Sequence, residues 1–267
     1  MAMIDSFRAA ALTAGTQFWR EAGERTAGAR RELARRAALA REPGPEGVSG
    51  PPLRFLWAEL RTLGTRRRAE VVRHIALRPQ PVLLLPGFGA HPARMKPMQR
   101  ALLNAGHRAH DWGMGINFGP TPENFAFLMR RVDALHRLYG RPVALVGWSL
   151  GGLFAREIAC RQPHAVSRVI TMGTPFSGNR RANNAWRAYQ LVTGHPVDEP
   201  PVVCDFAKPP VPTIALWSPR DGVIAPRSAC GRAGERDRAV SVRCNHLGFA
   251  SDPRAILEVL RQLDADD

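Results

Sequence analysis

The sequence predicts an α/β fold with a mostly parallel central sheet and helices on both of its faces. From residue 81 onward, apolar segments of strand length alternate with segments of helical periodicity, which is typical of parallel strands joined by crossover helices. A length of 267 residues suits one large domain with a modest extension, and an apolar fraction of 45% can fill a sizeable core. The 24 Gly and 23 Pro indicate many turns between short elements.

Individual elements follow from local signals along the chain. Continuous apolar runs at 81–85 and 143–147 are typical of strands buried on both faces of a sheet. Thr121 before Pro122 is a strong helix start, and Gly140 ends the same helix. On such signals we predict strands at 81–85, 107–112, 143–147, 167–172, 211–217 and 239–243, helices at 94–105, 121–139, 149–161 and 252–263, and an inserted cap at about 177–206.

The first 80 residues have a different composition from the rest. They contain 15 Arg against eight acidic residues, and the Pro- and Gly-rich stretch at 42–52 is typical of a linker. Apolar side chains recur at helical spacing on either side of this linker, at Ile4, Phe7, Ala11, Ala14 and Phe18 and at Leu53, Leu56, Leu60 and Leu63. We therefore predict an Arg-rich helical N-terminal extension, residues 1–80, whose apolar faces pack on a main domain formed by residues 81–267. The alternatives are an interfacial helix in peripheral contact with an anionic membrane, and a flexible or partner-binding arm.

The net charge of +15 raises the question of a nucleic-acid partner. Lys96 and Lys208 are the only lysines, so the basic excess is almost wholly arginine, an imbalance that codon bias in a GC-rich genome also produces. No basic patch interleaved with aromatic residues and no groove-reading motif appears in the sequence. We expect no nucleic-acid ligand.

The cysteines and the chain start bear on metal binding and location. Cys160, Cys204, Cys230 and Cys244 form no CxxC pair and no zinc-like spacing with histidine, so we expect no metal site. Free thiols are expected, with a Cys230–Cys244 disulfide as the alternative. Arg8 interrupts the first apolar run, and no run of 18 apolar residues exists, which argues against a signal peptide and a membrane span. The expected location is cytoplasmic, with the membrane surface as the alternative.

The pentapeptide Gly-Trp-Ser-Leu-Gly at 147–151 matches the pattern G-x-S-x-G. It lies between an apolar strand and a helical segment, the context in which this pattern holds a serine at the apex of a sharp, strained turn. Gly147, Gly151 and Gly152 leave room for the tight crossing, and the helix N-terminus favours developing negative charge. Ser149 is therefore the candidate nucleophile, the alternative being an ordinary strand-to-helix turn.

A serine hydroxyl is a weak nucleophile and needs a neighbouring base. In sites built on this pattern, an acid and then a histidine follow the serine in the chain. Of the histidines downstream, His164 ends the helix after Ser149 and His195 lies in the predicted cap, whereas His246 follows the last strand. A loop at that position can carry the imidazole over the serine, so His246 is the candidate base.

The acid should hold the imidazole in its useful tautomer and stabilise its charged form. Asp221 follows the predicted strand 211–217, at the sheet edge where ligands of parallel sheets bind. Asp221 is therefore the candidate acid and Asp205 the alternative, although Asp221 before Gly222 also suits a simple turn. The other acids considered between the serine and the histidine are Glu157, Asp198, Glu199, Glu235 and Asp237.

The oxyanion formed by attack on an ester needs hydrogen-bond donors in a dry site. The N–H of Leu150 follows the nucleophile directly. The loop after the first strand of the sheet, Pro-Gly-Phe-Gly-Ala at 86–90, can supply a second donor, for which Phe88 N–H is the candidate. A Gly-rich turn without a role is the alternative, and a nucleotide cradle is excluded because the third glycine of that motif is missing.

Residues 81–263 resemble the α/β-hydrolase superfamily, most closely its bacterial lipases and esterases. The resemblance rests on five segments: 85–89 (Leu-Pro-Gly-Phe-Gly), 147–151, 172–176 (Met-Gly-Thr-Pro-Phe), 218–221 (Ser-Pro-Arg-Asp) and 245–248 (Asn-His-Leu-Gly). It implies the α/β-hydrolase fold, a triad of Ser149, Asp221 and His246, no cofactor, and hydrolysis of a small-molecule or lipid ester. Many lipases carry His-Gly at the oxyanion loop, where this chain has Pro86-Gly87, a difference that leaves the loop geometry intact.

The expected activity is therefore hydrolysis of carboxylic esters through an acyl-enzyme on Ser149. Trp148, Trp112 and Met114 are candidate substrate-binding residues, because apolar side chains near the nucleophile favour an acyl chain; core packing is the alternative for each. The same triad could serve an acyltransferase, a thioesterase or an amidase. A non-catalytic membrane-surface or binding protein is a further alternative, although such a protein has no need of all three triad residues.

Overall fold

A parallel sheet forms the centre of the protein. The computed structural model describes residues 26–62, 72–202 and 207–266. Within these ranges the strands are Pro81–Leu85 (β1), Arg108–Asp111 (β2), Val143–Trp148 (β3), Val166–Met172 (β4), Thr213–Trp217 (β5) and Arg238–Ser241 (β6). They lie side by side in the order β2-β1-β3-β4-β5-β6, and each of these pairings is parallel. The predicted α/β class with a mostly parallel sheet is confirmed.

Helices in the described residues are 26–40 (α1), Leu53–Thr62 (α2), Lys96–Asn104 (α3), Pro122–Tyr139 (α4), Leu150–Arg161 (α5), Trp186–Thr193 (α6), Pro226–Cys230 (α7) and Pro253–Asp264 (α8), with 3-10 turns at Pro92–Met95, Pro163–Ala165 and Leu247–Ala250. Four of them cover the two faces of the sheet. Apolar residues of α3 and α8 share one core layer with the sheet, and those of α4 and α5 share the other. Alternate residues of β1 enter opposite layers, Val82 and Leu84 one and Leu83 and Leu85 the other, because successive strand side chains point to opposite faces.

Most boundaries follow the local signals. The Thr121 hydroxyl accepts from Asn124 N–H at the start of α4, and Gly140 ends the helix with a left-handed φ of 62°. The strand predicted from residue 211 begins only at Thr213, because Pro212 has no N–H to give to a ladder; its carbonyl instead accepts from Val169 N–H at 2.8 Å.

Some sequence-based expectations have a different outcome. Cys230 and Cys244 are free thiols, so the alternative of a disulfide between them is wrong. Helix α1 had no signal that we identified, and α6 lies inside the predicted cap. The helical spacing from Ile4 to Phe18, together with Leu63, Cys204 and Asp205, lies outside the described residues.

The N-terminal helices α1 and α2 lie against the part of the chain that forms and follows the sheet. From α1, Arg36 donates to the carbonyl of Val192 in α6 at 2.6 Å, and Gln190 of α6 donates back to the Leu39 carbonyl at 2.6 Å. Helix α2 turns Phe55, Leu56 and Glu59 inward, whereas Leu53, Trp57 and Leu60 are exposed. Of the predicted stripe, only Leu56 faces inward, whereas Leu53 and Leu60 do not lie on the face that packs. Among the described helices, none combines the length and apolar content needed to cross a bilayer.

Candidate active site

Ser149 lies at the sharp turn between β3 and α5. Its φ of 53° makes it the one non-glycine residue with a positive φ among the residues that the structure describes. Its N–H donates to the Met172 carbonyl of the neighbouring strand at 2.8 Å. A Cβ added at Gly147, Gly151 or Gly152 would come within 2.4, 2.2 and 2.0 Å of facing atoms, respectively, so the glycines are required for the crossing. The surrounding packing holds this serine in a strained conformation, a feature common at functional sites.

His246 and Asp221 form a buried pair at the carboxyl edge of the sheet. The imidazole Nδ1 lies 2.8 Å from Asp221 Oδ2, and the two residues are 4% and 1% exposed. The other carboxylate oxygen, Oδ1, accepts from the N–H groups of Val223 and Ile224 at 2.8 and 2.7 Å. The carboxylate is therefore fixed by its own turn, and the ring nitrogen facing it is the one that carries the proton when the imidazole is neutral.

The surroundings of His246 favour its charged form. Burial alone would lower its pKa, but the charge and hydrogen bond of Asp221, together with the charge of Glu59, outweigh burial, so the pKa of His246 lies above its ordinary value. The nearby Cys244 is held in its neutral form, because burial and the charges of Asp252 and Asp221 raise the pKa of its thiol. Cys244 is therefore a neutral thiol beside the site and not a competing nucleophile.

Trp148 connects the turn of Ser149 with the loop of His246. The indole of this residue, which directly precedes Ser149, donates from Nε1 to the His246 carbonyl at 3.1 Å, and its ring centroid lies 5.8 Å from the imidazole. Within the described chain, the Ser149 hydroxyl forms no hydrogen bond to the imidazole. In serine hydrolases in general, the hydrogen bond between serine and histidine is often long before substrate binds.

The other candidate histidines and acids lie elsewhere. His164 is exposed at 3.9 Å from Asp133, and His195 is exposed in the cap. Of the acids, Asp198 pairs with Arg181 and Asp237 with Lys208. The structure thus brings only His246 and Asp221 together among the candidates that it describes.

The loop after β1 lies directly against the serine. A Cβ added at Gly87 would come within 3.1 Å of Ser149 Cβ. Among the described residues, neither Phe88 N–H nor Leu150 N–H donates to a protein acceptor. N–H groups without a protein acceptor beside a serine are suited to bind an oxyanion that develops there.

Asn117, which the sequence analysis did not identify, supports this loop. Its side-chain amide donates to the Pro86 carbonyl at 2.7 Å, and its own N–H and carbonyl pair with Ala90 and Gly89 at 3.1 and 2.8 Å. The residue is fully buried. Nothing in its local sequence marks it, because its partners are about 30 residues away in the chain.

A cavity with a mainly apolar lining opens at Ser149. Phe88 of the loop after β1 and Leu150 and Phe154 of α5 line it on one side, and Trp186 and Tyr189 of α6 line it on the other. The lining also includes the polar side chains of Arg180, Asn183 and Ser149. An acyl chain fits such a lining better than a highly charged group does.

The proposed substrate-binding residues from the sequence analysis do not line this cavity. The indole of Trp148 packs against the imidazole of His246 and is buried. Trp112 is buried against Phe154, and its Nε1 donates to the carbonyls of Met114 and Gly115. Met114 packs against the same core layer. The carboxyl edge of β2, where Trp112 lies, is filled by core contacts, so for these residues the alternative of core packing fits the structure.

Glu59 is a second residue that sequence analysis missed. This buried carboxylate of α2 is 2% exposed and accepts from three backbone N–H groups. Its Oε1 accepts from His246 at 2.5 Å and from Gly222 at 3.1 Å, and its Oε2 accepts from Leu247 at 3.0 Å. An N-terminal helix therefore contacts both loops that carry the His246–Asp221 pair.

Comparison with known proteins agrees with this architecture. Residues 82–193 match the alpha/beta hydrolase family. Over 139 residues the chain is 32% identical to the pimeloyl-(acyl-carrier protein) methyl ester esterase of Aromatoleum aromaticum, a match that covers 50% of this chain and 52% of that protein. The chain thus spans about half the length of the curated relative that it matches.

Solved structures share the fold, and two of them serve as examples. One is BpoC from Mycobacterium tuberculosis H37Rv, with a TM-score of 0.51 and 17% identity. The other is the mature form of the lipase BlEst2 from Bacillus licheniformis, with a TM-score of 0.50 and 17% identity. Each superposition covers 74% of this chain and 97% of the other. At this identity the likeness concerns the fold alone: the chain has the α/β-hydrolase fold.

Proposed function

We propose that this protein, which has the α/β-hydrolase fold, is a serine hydrolase that cleaves carboxylic esters through Ser149, His246 and Asp221. The observation that supports it most strongly is the arrangement at the carboxyl edge of the sheet. A strained serine follows β3 directly, and the adjacent Trp148 donates to the loop that carries a buried His246–Asp221 pair. A merely structural turn would need neither the strained serine nor the paired imidazole.

In the proposed reaction, the Ser149 hydroxyl attacks the ester carbonyl carbon while His246 takes its proton. The N–H groups of Phe88 and Leu150 stabilise the oxyanion. Asp221 accepts from the protonated imidazole at Nδ1 and stabilises its positive charge. The imidazolium then gives its proton to the leaving alcohol, and an acyl group remains on Ser149. Water, activated by the same imidazole, attacks the acyl-enzyme and releases the acid.

The lining of the cavity supports an ester with an apolar acyl group. We place the acyl chain between Phe88 and Phe154 on one side and the cap residues Trp186 and Tyr189 on the other. A methyl ester esterase among the relatives supports an ester rather than an amide substrate. Acyl transfer, thioester cleavage and amide cleavage use the same residues, and product analysis in the presence of a competing alcohol separates acyl transfer from hydrolysis.

The test is a series of p-nitrophenyl esters of increasing chain length, measured with the wild type and with Ser149→Ala. We expect hydrolysis by the wild type and a loss of at least about a thousandfold in kcat for the variant. Ser167→Ala is the matched control, because Ser167 lies near the opposite end of β4 and its hydroxyl donates to Gln80. Equal rates in wild type and Ser149→Ala would refute the nucleophile, and an effect of similar size in Ser167→Ala would show that the loss is not specific.

A further inference from the structure

The N-terminal extension contributes a carboxylate to the interior of the candidate active site. Glu59 lies on the inward face of α2, and the three backbone N–H groups that donate to it in the described part of the chain belong to the loops of Asp221 and His246. Buried backbone N–H groups need acceptors, and Gly222, His246 and Leu247 have no other acceptor among the described residues. Glu59 therefore satisfies three donors that neither loop satisfies by itself.

Helix α2 is fitted closely to the turn that follows Asp221. A Cβ added at Gly222 would come within 2.4 Å of the Phe55 backbone. The side-chain amide of Asn184, in the cap, donates both to the Pro51 carbonyl at 3.0 Å and to the Gly222 carbonyl at 2.8 Å. The chain entering α2, the cap and the Asp221 turn are thus joined at one point, so Glu59 reaches the loops from a fixed position.

Two carboxylates act on the imidazole among the residues that the structure describes. Asp221, after β5, contacts Nδ1, and Glu59, on α2, accepts from the N–H of the same residue. The rings that pack against the imidazole, Trp148 and Phe249, are uncharged. A negative charge at Glu59 therefore adds to that of Asp221 in favouring the protonated imidazole.

We propose that Glu59 is a positioning residue of the catalytic site, which holds the Asp221 and His246 loops together and adds a negative charge facing the imidazolium. This inference rests on the proposed function. The proposal gives the N-terminal extension a part in catalysis. The negative charge and the three hydrogen-bond acceptor contacts come from Glu59, which lies outside the main domain, residues 81–267, that the sequence predicts. Glu59 does not touch the substrate; it acts through His246 and Asp221.

The test uses the full chain with Glu59→Gln, which keeps the side-chain size but removes the charge and turns one acceptor into a donor. We expect kcat for a p-nitrophenyl ester to fall roughly tenfold to a hundredfold with KM nearly unchanged, because a small misplacement of a catalytic group is costly. The midpoint of His246 titration, followed by NMR of the 15N-labelled imidazole, should fall by roughly half to one pH unit. Glu32→Gln is the matched control, because Glu32 lies on α1 and pairs only locally with Arg35 and Arg36 in the described chain.

Loss of stability alone would give a different result. A purely structural glutamate would lower the melting temperature of Glu59→Gln and leave the imidazole midpoint and kcat per folded molecule unchanged, and that result would overturn the proposal. Glu59→Asp keeps the charge but shortens its reach, so it should lose kcat with a smaller shift of the midpoint. If Glu59→Gln does not fold, a wild-type kcat in Glu59→Asp would overturn the proposal instead.

The readouts also separate this inference from the proposed function. Absence of ester hydrolysis in the wild type would contradict the proposed function. The titration of His246 does not depend on any substrate, so it still measures whether Glu59 acts on the imidazole. An unchanged midpoint in an active Glu59→Gln enzyme would overturn the inference and leave the esterase proposal standing.

Discussion

Substitution of Gly222 by alanine tests whether α2 belongs to the active-site assembly. Gly222 directly follows Asp221, and its N–H donates to Glu59 at 3.1 Å. The added methyl group would lie 2.4 Å from the carbonyl carbon of Phe55, 2.5 Å from its oxygen and 2.7 Å from Leu56 N. These atoms are backbone, so no side-chain rotation can relieve the contact; either the helix or the Asp221 turn must move.

The size of the effect follows from these distances. Ordinary van der Waals contact begins near 3.4 Å, so the two backbones must separate by about 1 Å. A separation of that size stretches the Glu59–Gly222 contact to about 4 Å, beyond a hydrogen bond. Overpacking of this kind costs about 1 to 3 kcal/mol, which corresponds to a decrease of roughly 3 to 10 °C in melting temperature for a domain of this size. Displacement of the Asp221 turn by 1 Å should also reduce kcat/KM roughly tenfold or more.

Thermal unfolding and p-nitrophenyl ester kinetics measure the two effects on the same protein. Gly44→Ala is the matched control, because nothing lies within 4 Å of a Cβ at Gly44 and the residue has no positive φ. We expect the control to match the wild type in both measurements. A Gly222→Ala protein with the melting temperature and kcat/KM of the wild type would refute the close fit between α2 and the Asp221 turn.

Three further predictions concern the candidate catalytic residues and the loop beside Ser149. Asp221→Asn should lower kcat about 10⁴-fold in ester hydrolysis, because the amide favours the wrong tautomer of His246; a loss below tenfold would contradict the role of the acid. Asn117→Ala removes the donor to the Pro86 carbonyl and should lower kcat roughly tenfold to a hundredfold with little change in KM. The same kinetics in Asn117→Ala and wild type would show that the loop after β1 does not depend on Asn117. Because the base must be neutral, kcat/KM should rise with pH through the pKa of His246. The raised pKa places the midpoint of that rise above the ordinary value for histidine. A midpoint below that value would contradict the effect of Asp221 and Glu59 on the imidazole.

The sequence was sufficient for the sheet and for the positions of the candidate catalytic residues. Parallel strands buried on both faces give continuous apolar runs, and the G-x-S-x-G pattern lies between such a run and a helix. The candidate histidine and acid followed from chain order and from their place after predicted strands. All of these signals are local, and the sheet itself brings the carboxyl ends of its strands together.

The contacts of Glu59 and Asn117 could not be found in this way. Each residue satisfies backbone groups that are distant in the chain, and no periodicity marks a buried polar residue. Helix α2 shows the difficulty most clearly: the leucine spacing predicted the helix but not its inward face, since Leu53 and Leu60 are exposed and Glu59 is buried. The unsatisfied N–H groups of the two loops decide that orientation, and the loops exist only in the folded chain.

Covalent labelling tests the central claim most directly. A fluorophosphonate probe reacts with a serine only where a base and an oxyanion site activate it, so the folded protein should acquire one adduct, and peptide mass mapping should place it on Ser149. The adduct should be absent in Ser149→Ala and strongly slowed in a variant in which His246 is replaced by alanine. An unlabelled wild type, or an adduct on any other residue, would contradict the account.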